Sequence, residues 1–151
     1  DLAAIGTVAD IMPLIKEKLA SGQEVIFSPH GTSMLPFLKE GRDSITLKAP
    51  PARLKKYDIP LYQRKNGQYI LHRVVRVGEI YTCVGDNQFA LETGVEHDHI
   101  IAVCTAVERN GKPTRSINRP IWRICAVLWN YTRFPRRIFA AIVRRIKKIF
   151  K

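Results

Sequence analysis

Between residues 24 and 108 the chain is cut into short β-rich runs, and this punctuation constrains its fold more than any other feature. The runs 24–28, 44–48, 59–64, 69–77, 80–84 and 99–108 are rich in Val, Ile, Leu, Thr and Tyr, with Gly, Pro, Asn and Asp between them. Such residues suit a pleated, half-buried surface, and the separators are the residues that turn a chain. Asn66-Gly67 is the sharpest signal, because both residues accept the positive φ of a tight hairpin. It predicts residues 61–64 lying beside residues 69–72. The expected fold is mainly β, an antiparallel sheet domain over residues 24–110.

Two helical appendages flank that body. Val8, Ile11, Met12, Ile15 and Leu19 recur at spacings of three and four, a helical stripe ended by Gly22, within an N-terminal segment of residues 1–23. Proline is tolerated only in a helix's first turn, so Pro13 sets the start near Asp10. Asn110-Gly111-Lys112-Pro113 reads as the end of the β body, and residues 111–151 as a helical tail. Beyond Pro135, Ile138, Phe139, Ile142, Val143, Ile146, Ile149 and Phe150 form one apolar face, and Arg136, Arg137, Arg144, Arg145, Lys147 and Lys148 are basic.

Charge follows the same division. The net charge is +12, yet all 13 acidic residues lie at or before Glu108, while ten basic residues and no acidic one lie between Arg119 and Lys151. The body is near neutral and the tail carries the basicity. A cationic helix with an uncovered apolar face suits an anionic membrane surface, and nucleic acid is not expected as a partner. No run of about 18 apolar residues and no charged, apolar, small-residue leader appears, so neither a membrane span nor a secretory signal is expected. Attachment is therefore expected to be peripheral, through the tail. The chain opens on Asp1 rather than Met, as trimming upstream would leave it.

Cys83, Cys104 and Cys125 are odd in number and widely spaced, which argues against a disulfide framework or a zinc site. They read as small buried apolar residues, and free thiols favour the cytoplasmic face of a membrane. Glu96-His97-Asp98-His99 contains metal-ligand types, but a solvated loop is the expectation; no metal or cofactor is implied.

Chemistry is concentrated in three places. Gly31-Thr32-Ser33-Met34-Leu35-Pro36 is a punctuated turn that can hold a hydroxyl exposed, and serine needs an adjacent base to act as a nucleophile. His72 is read mid-strand, on the face of Ile70 and Val74, and imidazole is the natural general base near neutral pH. Gly85-Asp86-Asn87 is a turn whose carboxylate can orient an imidazole; Glu92 is a second candidate for that role.

The ordered boxes Ser33-Met34-x-Pro36, Gly41-x-Asp43, His72-Arg73-Val74-Val75 and Gly85-Asp86-Asn87 resemble those of the type I signal peptidases and the related LexA-type self-cleaving repressors. Histidine at position 72, where most bacterial members carry lysine, resembles the branch that includes the endoplasmic-reticulum enzyme. The resemblance implies Ser33 as nucleophile, His72 as base, and Asp86 or Glu92 as the third member. It also implies an oxyanion site at the Ser33 backbone N–H with Thr32 beside it, and substrate contacts at Met34 and Pro36. Arg42 interrupts the usual Gly-Asp pair, and Tyr57 stands before Asp58 where glycine is common. The expected activity is serine endopeptidase cleavage of signal or leader peptides through an acyl-enzyme, with the peptide bound extended along a strand edge. The alternatives are a catalytically silent peptide- or lipid-binding member of the fold and a LexA-type self-cleaving regulator. For the latter, too few residues precede the β body to form a DNA-reading helix-turn-helix.

Overall fold

The computed structural model describes residues 8–151, and for residues 113–115 the backbone alone. Helix α1 (Val8–Ala20) is followed by β1 (Val25–Phe27), β2 (Asp43–Lys48), β3 (Pro60–Gln63), β4 (Tyr69–Leu71), β5 (Arg73–Val77), β6 (Tyr81–Val84), β7 (Glu92–Val95), β8 (Ile100–Arg109) and β9 (Lys112–Ser116). Helices α2 (Pro120–Tyr131) and α3 (Arg133–Ile149) close the chain.

The strands form two antiparallel sheets. One has the order β1-β2-β8-β3-β4, with β9 also on β8, and the other the order β5-β6-β7. Because neighbouring side chains in a strand face opposite ways, Leu61 enters one core and the adjacent Tyr62 the other. The first core lies against α1, whose Ile11, Met12, Ile15 and Leu19 are buried with Phe27, Ile45, Leu47 and Leu61. The second joins the two sheets through Leu54, Tyr62, Val74, Tyr81, Cys83 and Val103. A sheet covered on both faces leaves few polar positions along its middle strands, which explains the nearly continuous burial of β2 and β6.

The antiparallel sheets and the flanking helices agree with expectation, whereas the description "mainly β" is too strong: helix and strand contents are comparable, and the fold is mixed. Four details differ. Helix α1 already includes Val8, so Pro13 stands in its second turn. The run 69–77 is two strands, broken at His72, where the chain leaves the large sheet for the small one. Asn110-Gly111 ends nothing: both have positive φ, 53° and 68°, and turn β8 back into β9, so the β body reaches Ser116. At Asn66-Gly67 only Gly67 has positive φ, and the hairpin closes through Arg64 and Gln68, with Asn66 Oδ1 accepting the Gln68 N–H. Of the predicted pairing of 61–64 with 69–72, residues 61–63 do pair with 69–71.

The tail is two helices. Trp122 and Trp129 of α2 pack on Phe37, and the Trp129 indole N–H donates to the Asp86 carbonyl at 2.7 Å. By contrast, α3 has no buried residue: Phe134, Phe139, Ile149 and Phe150 are each more than two-thirds exposed. Cys83 and Cys104 are buried as expected, and burial pushes both thiols up to about 12. Cys125 is exposed and lines an apolar groove of about 740 Å³ between α2 and Pro36-Phe37. It lies on the α2 stripe that also carries Ile121, Ile124 and Leu128, none of which faces the core.

Candidate active site

The loop from Gly31 to Glu40 is held at both ends by carboxylates. Glu40 accepts from the Gly31 N–H at 2.9 Å and faces His30 Nδ1 at 3.0 Å. Asp43, buried, accepts from the Lys39 N–H and from Arg42 and Arg109, whose guanidinium also holds the Phe37 carbonyl. The Gly41-x-Asp43 box therefore builds the loop and takes no part in a site. The inserted Arg42 supplies one of the two cations that keep Asp43 ionised inside the protein.

At the loop's apex, Ser33 is half-buried, and the Gly85–Asn87 turn lies directly against it. Asn87 donates its backbone N–H to the Ser33 carbonyl at 2.9 Å and its side-chain amide to the Thr32 carbonyl at 3.1 Å. Gly85 makes that approach possible, since a Cβ there would stand 2.5 Å from the Ser33 oxygen. The Ser33 N–H has no acceptor among the described residues and stays free to donate.

Ser33 and His72 line the same cavity, of about 200 Å³, together with Phe27, Met34, Leu38, Leu61 and Leu71. No hydrogen bond joins Ser33 Oγ to the ring among the described residues; contacts of this kind tighten as a substrate is taken up. His72 is 4% exposed. Arg133 Nε is the one buried, unpartnered side-chain nitrogen or oxygen among the described residues. Nε2 of His72 has no protein partner either and is absent from that buried set, and His72 is part of the cavity wall.

Behind the ring stands Glu92, at the start of β7, with Oε2 3.8 Å from His72 Nδ1. Arg64 grips both carboxylate oxygens at 2.8 and 2.9 Å, and Tyr62 donates to Oε2 at 2.7 Å. The Arg64 hydrogen bonds hold the Glu92 carboxyl below the usual carboxylate range. Burial lowers the His72 pKa from its ordinary 6.5, against the attraction of Glu92, with the Arg64 charge also lowering it. A lowered pKa favours the neutral ring at pH 7.

The two candidate carboxylates are separated by their surroundings. Asp86 is 1% exposed and forms a two-pronged pair with Arg73, 2.8 Å on each side, while the guanidinium lies over Phe37 and donates to the Tyr57 carbonyl. Its oxygens are committed there, and Glu92 is the carboxylate beside the imidazole. Comparison with protein-family models, with curated proteins and with solved structures finds no match.

Other expectations meet the structure unevenly. Met34 lines the cavity from within the core, but Pro36 is exposed and borders the α2 groove rather than this cavity. Thr32 is exposed and lies outside the cavity lining. Of the six tail cations, Arg137, Arg144, Arg145, Lys147 and Lys148 are exposed. Arg136 is half-buried, its guanidinium 3.8 Å from the Trp129 ring centre, and joins α3 to α2 rather than standing free. His97 Nδ1 and the Tyr81 hydroxyl are hydrogen-bonded at 2.9 Å, and the described residues contain no His, Cys, Asp or Glu cluster arranged to hold a metal.

Tyr62 and Arg64 were missed. Their signal lay in the Asn66-Gly67 hairpin, which pairs Tyr62 with Ile70, two residues before His72. What no local pattern indicated was β7, the short strand that carries Glu92 to them.

Proposed function

We propose that this chain is a serine endopeptidase working at a membrane surface, with signal or leader peptides as its substrate class. The observation that carries the reading is the shared cavity: a half-exposed serine and a neutral histidine open on one space, with an ionised glutamate behind the ring. Ser33 Oγ attacks the peptide carbonyl carbon as its proton passes to His72 Nε2. The C–N bond then breaks, and the same proton leaves with the amine. Water repeats the sequence to release the acid and restore Ser33. The Ser33 N–H is the donor for the oxyanion. A small apolar cavity admits a small side chain beside the scissile bond, which fits the small residues before the cut in such peptides. Incubating the protein with a peptide mixture rich in small-x-small sequences, with anionic vesicles, should give discrete cuts by mass spectrometry. A folded protein that makes none would be a peptide-binding scaffold instead.

The pH dependence follows from the depressed His72 pKa. Only neutral imidazole accepts the proton, so kcat/KM should be constant around pH 7 and fall on acidification, with the limb below 6.5. A limb above 6.5 would contradict the neutral, desolvated base.

Peripheral attachment is supported by α3, whose exposed apolar residues and basic residues occupy opposite faces. No helix among the described residues is long and apolar enough to cross a membrane. Phe139→Asp with Ile146→Asp, both at exposed positions, should reduce co-sedimentation with phosphatidylglycerol vesicles by about tenfold or more and leave the melting temperature unchanged. Equal binding by this variant would assign the contact elsewhere.

A further inference from the structure

We infer that Tyr62 is a positioning residue for His72, holding the neutral ring in the tautomer with its proton on Nδ1 and its lone pair on Nε2, toward the cavity. The inference rests on the reading of His72 as the base for Ser33.

The argument begins with a gap. Glu92 Oε2 is 3.8 Å from Nδ1, beyond hydrogen-bond range, so the carboxylate does not orient the ring by direct contact. The Tyr62 hydroxyl occupies the space between them, 2.7 Å from Oε2 and 3.5 Å from Nδ1. An ionised carboxylate accepts and cannot donate, and Arg64 on both oxygens keeps Glu92 ionised. The single phenolic proton must therefore point at Glu92. Burial, and then the bond to Glu92, push the phenol up, so that proton stays in place.

With its proton committed, Tyr62 Oη turns a lone pair toward the ring, and the favourable group opposite is Nδ1–H. Neutral imidazole has only one N–H, so the lone pair falls on Nε2, the nitrogen that opens on the cavity. When Nε2 takes the serine proton, Nδ1–H remains, and the new positive charge is met by Glu92 through the Tyr62 hydroxyl. Tyr62 is held in this position by its packing: it is 1% exposed, its strand is paired on both sides, and its ring stands edge-on to the imidazole at 6.4 Å between centres.

The test is nitrogen-15 NMR of His72, at a pH where the ring is neutral, in the unaltered protein, in Ser33→Ala and in Tyr62→Phe. The expected spectrum has Nδ1 protonated in the first two. Tyr62→Phe should mix or reverse the tautomers, and kcat should fall about 10–100-fold with KM little changed, as when a working histidine loses the group that orients it. An Nε2–H ring in the unaltered protein overturns the inference, even if Tyr62→Phe fails to fold. So does a Tyr62→Phe protein that melts earlier but keeps the same tautomer and kcat, since Tyr62 would then serve packing alone. If the unaltered protein shows Nδ1–H yet cuts no peptide, the tautomer assignment holds and the peptidase reading fails.

Discussion

Replacing Asp86 by alanine is expected to lower the unfolding free energy by about 3–5 kcal/mol, which is the usual cost of removing one partner of a buried ion pair. Native domains are stable by only about 5–15 kcal/mol, so much of the population would unfold. The cause is the Arg73 guanidinium left behind. It is 6% exposed, and of its partners only the Tyr57 carbonyl and the Phe37 ring would remain to offset its desolvation. The pair also ties β5 to the turn that presses on Ser33, so the site should loosen with the fold. Arg73→Met in the same chain removes the stranded charge and should recover much of the loss. Urea denaturation of the single and double variants measures both effects. If Asp86 were instead the third catalytic member, the Asp86→Ala, Arg73→Met double variant would recover stability but not kcat.

Ser33→Ala should do the opposite. Cleavage falls about 10³-fold or more, as when a covalent nucleophile is removed, while stability changes by less than about 0.5 kcal/mol. Ser33 Oγ has no hydrogen bond among the described residues and the side chain is half-buried, so alanine costs the fold little. His72→Ala should reduce kcat to a similar floor, and the double variant should be no worse than either single one, because nucleophile and base act as a unit. Undiminished cleavage by Ser33→Ala would eliminate the acyl-enzyme route.

Much of the molecule was legible before its structure. The α1 stripe, the six β-rich runs, of which 69–77 proved to be two strands, and the pairing within the 61–71 hairpin follow from period and turn chemistry, which act over a few residues. Strand β9 was lost because Asn110-Gly111 signals a turn without saying whether a strand or a linker follows. Strand β7 was lost because Glu92-Thr93-Gly94-Val95 is short and half-exposed, with glycine at positive φ, and has no alternation to read. The break at His72 was hidden because a chain that crosses from one sheet to another keeps its β-rich composition on both sides.

Local period was enough to name the amphipathic basic tail, while the serine, the histidine and the two carboxylates were singled out by the resemblance of the ordered boxes, each box being a property of a few neighbouring positions. They left open which carboxylate serves the ring. Asp86 and Glu92 both lie shortly after His72 in the chain, and their difference depends on partners far away in sequence. Arg73 claims Asp86 across the β5–β6 pair, while Tyr62 and Arg64, about 30 residues earlier, meet Glu92 only once β7 has joined the second sheet. The same limit applies to the tail, where the helical period revealed an apolar face but not that Trp129 and Arg136 would fasten α2 and α3 to the body. Such contacts are set by how the sheets and helices pack, because a buried charge goes to whichever opposite charge the assembled fold brings within reach.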